Sequence, residues 1–265
     1  MDTNPFNFYL PKVAIGELGV IFLIDAQQRR LIQNAIFPPN VIELDALPKF
    51  KGEHVMIYDW EKHNHLDVPL KKAFKSDDRE LILLPKELTS LARTPSDKEC
   101  ARINLESRDS GYGFYLANQA LNERLMGKLP TIIIAGDAFY IDVRVGQLRH
   151  KDDPSAFISL DEISPYEQDG KATFLYSPGI RSVFHPDWRA TGIPDGVLAV
   201  QTPSIAHLDP VGLARYFERQ DGYYLDRYAF QPEQKAAIIP LAETNFAILF
   251  KANRDAGQDY PHPKR

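Results

Sequence analysis

The sequence predicts an α+β fold, with mainly antiparallel hairpins and meanders in both halves and a central helical segment at about residues 86–127. Three observations lead there. Short β-branched and aromatic runs closed by turn residues recur in both halves. Helical spacing and capping residues concentrate in the centre. Strands do not alternate regularly with long helices, which argues against a doubly wound parallel sheet. The 20 prolines add to this, since proline is excluded from helix interiors and central strands and so demands many turns.

In chain order, Val20 to Ile24 reads as a buried strand after a turn at Gly16 to Gly19, and residues 28–37 lean to a paired strand. His54 to Trp60 and Leu81 to Leu84 are further strands, the latter closed by Pro85. Lys86 to Arg93 has helical spacing. Ser96 and Glu99 form a capping box that should start a helix running to about Glu106. Residues 114–126 place Phe114, Ala117, Leu121 and Leu125 on one stripe, with Gly127 at the left-handed cap position. Ile132 to Ala135 and Phe139 to Val143 flank a two-residue turn at Gly136-Asp137, and a turn at Val145-Gly146 leads to a strand at Gln147 to Arg149. Thr173 to Tyr176, Gly196 to Thr202 and Asn245 to Lys251 read as strands. Asp209-Pro210 opens a helix, and a short helix is expected near Pro232-Glu233.

These elements group as an N-terminal β-containing segment (1–94), a helical connector (95–128), a β-rich C-terminal domain (129–253) and a loose polar tail (254–265). Phe22-Leu23-Ile24-Asp25 with Leu31 and Phe139-Tyr140-Ile141-Asp142 with Leu148 share the pattern F-x-I-D-x5-L. It is hairpin grammar, compatible with two related β units, and not a solenoid period.

With 44% hydrophobic and 25% charged residues, the chain has an ordinary globular balance. A net charge of −5 disfavours nucleic acid as the principal partner, while leaving room for a local basic groove. The lone Cys100 excludes an intrachain disulfide and a thiolate zinc cage, which fits a reducing cytoplasm. No segment approaches the apolar length of a membrane span, and the N-terminus lacks a basic signal region.

His63, His65 and Asp67 form the sharpest constellation. On an extended segment they point to one side, and two imidazoles with a carboxylate suit zinc or manganese. Asp137, or a later His185 or His207, would close such a site. The spacing also resembles part of the metallo-β-lactamase signature H-x-H-x-D-H, although Val68 stands where its last histidine would be. The bland reading is a polar turn stopped by Pro69. His150 and Asp152 could pair as acid and base, but adjacent charges at a hairpin end are more often a solvated turn. Asp137 and Asp142 fall on opposite sides of the pleat and form no dyad. In RYFERQDGYYLDRY (215–228), Arg215, Tyr216, Arg219, Tyr223, Tyr224, Arg227 and Tyr228 have the composition of a protein-contact face. Its arginines are balanced by Glu218, Asp221 and Asp226, so the electrostatic part of nucleic-acid binding is missing there. No nucleophile elbow or phosphate loop occurs.

At AGDAFYIDVRVGQLRHKDDP, IPDGVLAVQTP and HLDPVGLAR, residues about 130–220 resemble an uncharacterised bacterial family associated with mobile-element gene clusters. The resemblance implies a β-rich C-terminal half and no particular activity. With no complete catalytic set, many turns and 11% aromatic residues, the expected function is a non-enzymatic accessory protein that binds protein partners and needs no cofactor. The alternative is a zinc- or manganese-dependent hydrolase built on His63, His65 and Asp67.

Overall fold

The computed structural model describes residues 10–33, 39–67, 69, 78–187, 189–225 and 227–258. They form two compact units, one running to Lys128 and joined by Pro210–Phe230, the other Leu129–Asp209 with the chain from Gln231. The fold is α+β with antiparallel meanders, as expected. Among the described residues no helix is long and apolar enough to cross a membrane.

The first unit opens with a meander of β1 (Lys12–Ile15), β2 (Val20–Asp25), β3 (Arg30–Gln33) and β4 (Asn40–Glu43), closed by a 3₁₀ turn at Leu44–Ala46. β5 (Lys49–Phe50), β6 (Glu53–Asp59), β7 (Asn64–His65) and β8 (Arg79–Leu84) make a second sheet centred on β6. α1 (Lys86–Thr89), α2 (Asp97–Ser110), β9 (Phe114–Leu116) and α3 (Gln119–Leu125) follow. β9 returns to pair with β1, giving the order β4-β3-β2-β1-β9. The sheets bury Val13, Ile15, Phe22, Ile24 and Leu31 against Met56, Tyr58, Ile82 and Leu84. Alternate residues of each strand face inward and supply this core.

The second unit repeats this plan. β10 (Thr131–Ile134), β11 (Asp137–Asp142), β12 (Gln147–His150) and β13 (Phe157–Ser159) form the meander, and α4 (Leu160–Ile163) closes it. β14 (Glu167–Gln168), β15 (Lys171–Ser177), β16 (Ser182–Val183) and β17 (Leu198–Pro203) form the second sheet, centred on β15. After α5 (Ile205–Leu208), α6 (Pro210–Tyr216) crosses to the first unit. β18 (Glu233–Lys235) then pairs with β10, β19 (Ala237–Ile238) pairs with β17, and α7 (Asn245–Gln258) ends the described chain. The order β13-β12-β11-β10-β18 matches β4-β3-β2-β1-β9 strand for strand, except that β18 runs parallel to its neighbour and β9 antiparallel.

The repeat extends to residues. Register makes Ile24↔Leu31 the counterpart of Ile141↔Leu148, and Tyr58↔His65 that of Tyr176↔Val183. By the same pairings Phe22 and Phe139, Asp25 and Asp142, Ile42 and Ile158, and Ile15 and Ile134 are equivalent and identical. Left-handed turn residues recur at matching places: Lys51-Gly52 with Asp169-Gly170, and His63 with Arg181. Phe22 meets Tyr58 edge-on at 5.9 Å, and Phe139 meets Tyr176 edge-on at 6.4 Å. F-x-I-D-x5-L marks the central β2–β3 and β11–β12 hairpins of the two repeats.

Several expectations are corrected. The segment 114–126 is not one helix. Gly111 ends α2 in the left-handed region (φ 65°), and Phe114 and Leu116 turn inward on the open edge of β1. The Asn104 side chain bonds both backbone groups of Leu116, at 2.9 and 2.7 Å, and so completes that edge. α3 starts only at Gln119, where the Asn118 side-chain oxygen caps it by accepting from the Leu121 N–H at 2.8 Å. Residues 245–251 are helix and not strand: Phe246 and Phe250, four apart, lie on one stripe against Leu175, Val197 and Ala199. That helix carries residues 254–258 of the expected loose tail; 259–265 lie outside the described residues. The expected helix near Pro232 is β18, captured by the free edge of β10 through Thr131 N–H to Pro232 O (2.9 Å). The β10–β11 turn falls one residue earlier than expected, at Ala135-Gly136 (φ 52° and 99°), which places Asp137 inside β11. The helices of 95–128 fall in the first unit.

Candidate functional site

α6 is short and apolar on one side. Val211 and the following Leu225 pack with Ala14, Ala117 and Leu121. Glu218 closes the helix in the left-handed region (φ 54°), and the Arg219 N–H returns to the Ala214 carbonyl at 2.8 Å. The chain then folds back so closely that Gly222 N–H bonds Gly19 O at 3.1 Å, and a Cβ on either glycine would overlap the other's backbone.

This backing sorts the seven residues of the expected face. Arg215 is half-buried and engaged: it holds Asp221 with two bonds of 2.8 Å and the Leu125 carbonyl at 2.9 Å, so it fixes the fold-back. Tyr223, Tyr224 and Tyr228 are half-buried and stacked edge-on or tilted in sequence. Arg219, Arg227 and Tyr216 are exposed, with the Arg219 guanidinium 5.6 Å above the Tyr223 ring. Phe217, not among the seven, is 53% exposed beside Tyr216 at 56%, the rings edge-on at 5.1 Å. Helical spacing conceals Phe217. It follows the last residue of α6 and points away from the stripe that Val211 and Ala214 bury.

The metal candidates do not converge. His63 sits in a turn with φ 51°, so residues 63, 65 and 67 do not form one extended side. His63 and Asp67 are exposed, and His65 bonds its neighbour Asn64. Burial lowers the His65 pKa. Asp137 belongs to the second unit and is otherwise engaged; His185 meets Glu162 at 3.1 Å and His207 meets Ser204 at 2.7 Å. Among the described residues no three His, Cys, Asp or Glu side chains are arranged to hold a metal.

Asp137 instead joins a polar corner at the inner face of the second unit. It accepts from the Tyr176 hydroxyl at 2.8 Å, with His150 Nε2 and Arg181 Nε each 3.5 Å away. Arg181 also holds Asp153 at 3.2 Å. The Asp152 N–H donates to His150 Nδ1 at 3.2 Å, which leaves Nε2 as the protonated nitrogen facing Asp137. The charged end of the meander is therefore only partly solvated, because His150 is buried edge-on against Phe139 at 5.3 Å. His150 pairs with Asp152 through the backbone and not through its carboxylate. The equivalent corner of the first unit is neutral: Tyr58 donates to Gln33 at 2.9 Å, and Gln33 occupies the place of His150. Burial pushes the Tyr58 hydroxyl pKa up to about 12, and burial with the neighbouring Asp137 raises that of Tyr176. Burial also takes the Cys100 thiol to about 11, so it is a packed side chain and a poor nucleophile.

No family model, no curated protein and no solved structure matches the chain.

Proposed function

We propose that this protein is a non-enzymatic accessory protein that binds a protein partner through the Tyr216-Phe217 end of α6. One observation carries the reading: two adjacent large aromatic rings, each more than half exposed, stand on a segment locked to its unit by Arg215 and by the Gly19–Gly222 contact. Large exposed aromatics beside arginine are the side chains that supply most of the binding energy at protein interfaces. A rigid support lowers the entropy lost when they dock. Arg219 on Tyr223 and the exposed Arg227 extend the patch with cationic groups.

The test is a photo-reactive phenylalanine analogue at Phe217, with the same analogue at the exposed Ile180 of the other unit as control. In the native host, position 217 should give one crosslinked protein of defined mass that position 180 does not. A Tyr216→Ala variant in the 217-labelled chain should lose it while the melting temperature stays unchanged. Equal crosslinking at both positions, or none at 217, contradicts the reading.

A further inference from the structure

The repeat shows where the second unit departs from what the fold requires. In the first unit the strand register lines up Val41, Ile32 and Leu23 across the outer face of β4, β3 and β2. Leu23 and Ile32 are buried there, and Ala14 and Ile21 on the same face lie under α3 and the 210–225 segment. The equivalent row in the second unit is Phe157, Arg149 and Tyr140 across β13, β12 and β11. That face is open: Phe157 is 46% and Tyr140 37% exposed, and Arg149 is exposed between them.

The neighbouring row adds cations. Lys151 lies opposite Ala138 and holds its ammonium 5.4 Å over the Tyr140 ring; Lys235 lies opposite Ile133 at the far side. Neither lysine has an ion-pair partner among the described residues. Two acids share the face. Asp142 is bound to Arg149 at 2.8 Å, and Glu233 lies on the edge strand β18.

We propose that this sheet face binds single-stranded nucleic acid, stacking one base on Phe157 and one on Tyr140 in place of the Lys151 ammonium, with phosphates on Lys151, Lys235 and Arg149. The rings are two strands apart, about 10 Å at the ~4.8 Å strand spacing, which leaves room for the arginine between two bases. Stacking on aromatic rings tolerates any base, because each presents a π face. Lys151, Lys235 and Arg149 outweigh the two acids locally, although the chain carries −5 overall. Because few phosphates are neutralised, binding should be only weakly salt-dependent. The slope of log Kobs against log salt should be about −1.4 to −2.1 for two or three contacts.

The experiment is fluorescence anisotropy of the full chain with labelled 12-nucleotide oligo(dT) and oligo(U), titrated from low to moderate salt. Binding of both strands with that slope is expected, and weaker binding of a duplex whose bases are stacked away. Tyr140→Ala and Phe157→Ala should each weaken binding roughly 5- to 100-fold. Lys151→Ala with Lys235→Ala should flatten the slope. If an alanine variant does not fold, Tyr140→Leu and Phe157→Leu keep an apolar strand residue and remove only the ring, with the same loss expected. Absent binding at low salt, binding indifferent to both aromatic changes, or displacement by oligoglutamate as efficient as by unlabelled oligo(dT) would each overturn the proposal. The last result would identify an acidic polypeptide as the occupant.

Discussion

Tyr58 and Tyr176 occupy the same place in two copies of one fold, both fully buried, and they differ in what their hydroxyls meet. A hydroxyl bonded to a neutral amide contributes about 1 kcal/mol net, and one bonded to a carboxylate about 1.5–3 kcal/mol. Tyr176→Phe should therefore destabilise more than Tyr58→Phe, by about 1 kcal/mol, as read from urea midpoints at constant m. Equal effects would mean that His150 and Arg181 already satisfy Asp137 and that its bond to Tyr176 is redundant. His150 illustrates why this corner escaped the sequence. Its neighbours Arg149, Lys151, Asp152 and Asp153 are charged, which suggests a solvated hairpin end. Pleat alternation nevertheless turns His150 inward with Leu148, onto Phe139.

At the scale of elements, the fold-back 217–225 stands on two glycines, and only glycine fits at either. Gly19 also lies in the left-handed region (φ 63°). Gly222→Ala should cost at least about 1–3 kcal/mol from overpacking. It should also abolish the crosslink from position 217, since the aromatic pair loses its support. A stable Gly222→Ala protein that still crosslinks would show that the segment docks some other way. Much of the element plan was legible. Val20 to Ile24, His54 to Trp60 and Thr173 to Tyr176 are β-branched or aromatic runs between turns, and the Ser96–Glu99 capping box is formed as expected. What was not legible needed partners far away in sequence. The run NFAILF fits a strand or a helix equally until Leu175 and Val197 select the helical stripe. FYL at 114–116 becomes a strand only because β1 offers an open edge and Asn104 completes the pairing.

For the whole molecule, the repeat explains more than either half does. Only F-x-I-D-x5-L betrayed it, because hairpin loops of unequal length, four residues at Gly16–Gly19 against two at Ala135-Gly136, shift equivalent residues out of a fixed period. The shared core keeps Phe, Ile and Tyr at matching places, while the outer faces diverge. Leu23 and Ile32 are buried in one unit, and Tyr140 and Arg149 are exposed in the other. Tyr140, Arg149 and Phe157 thus escaped detection for a physical reason. A strand's outward row is defined across strands by register, and no local spacing in the chain displays it. Both proposed surfaces require that Tyr140, Phe157, Tyr216 and Phe217 meet water, while Leu23, the counterpart of Tyr140, is buried. Residue-resolved hydroxyl-radical footprinting of the purified chain measures this directly. Rapid oxidation is expected at those four rings and strong protection at Phe22, Leu23, Tyr58, Phe139 and Tyr176. Protection of Tyr140 and Phe157 at the level of Phe139 would contradict the open face.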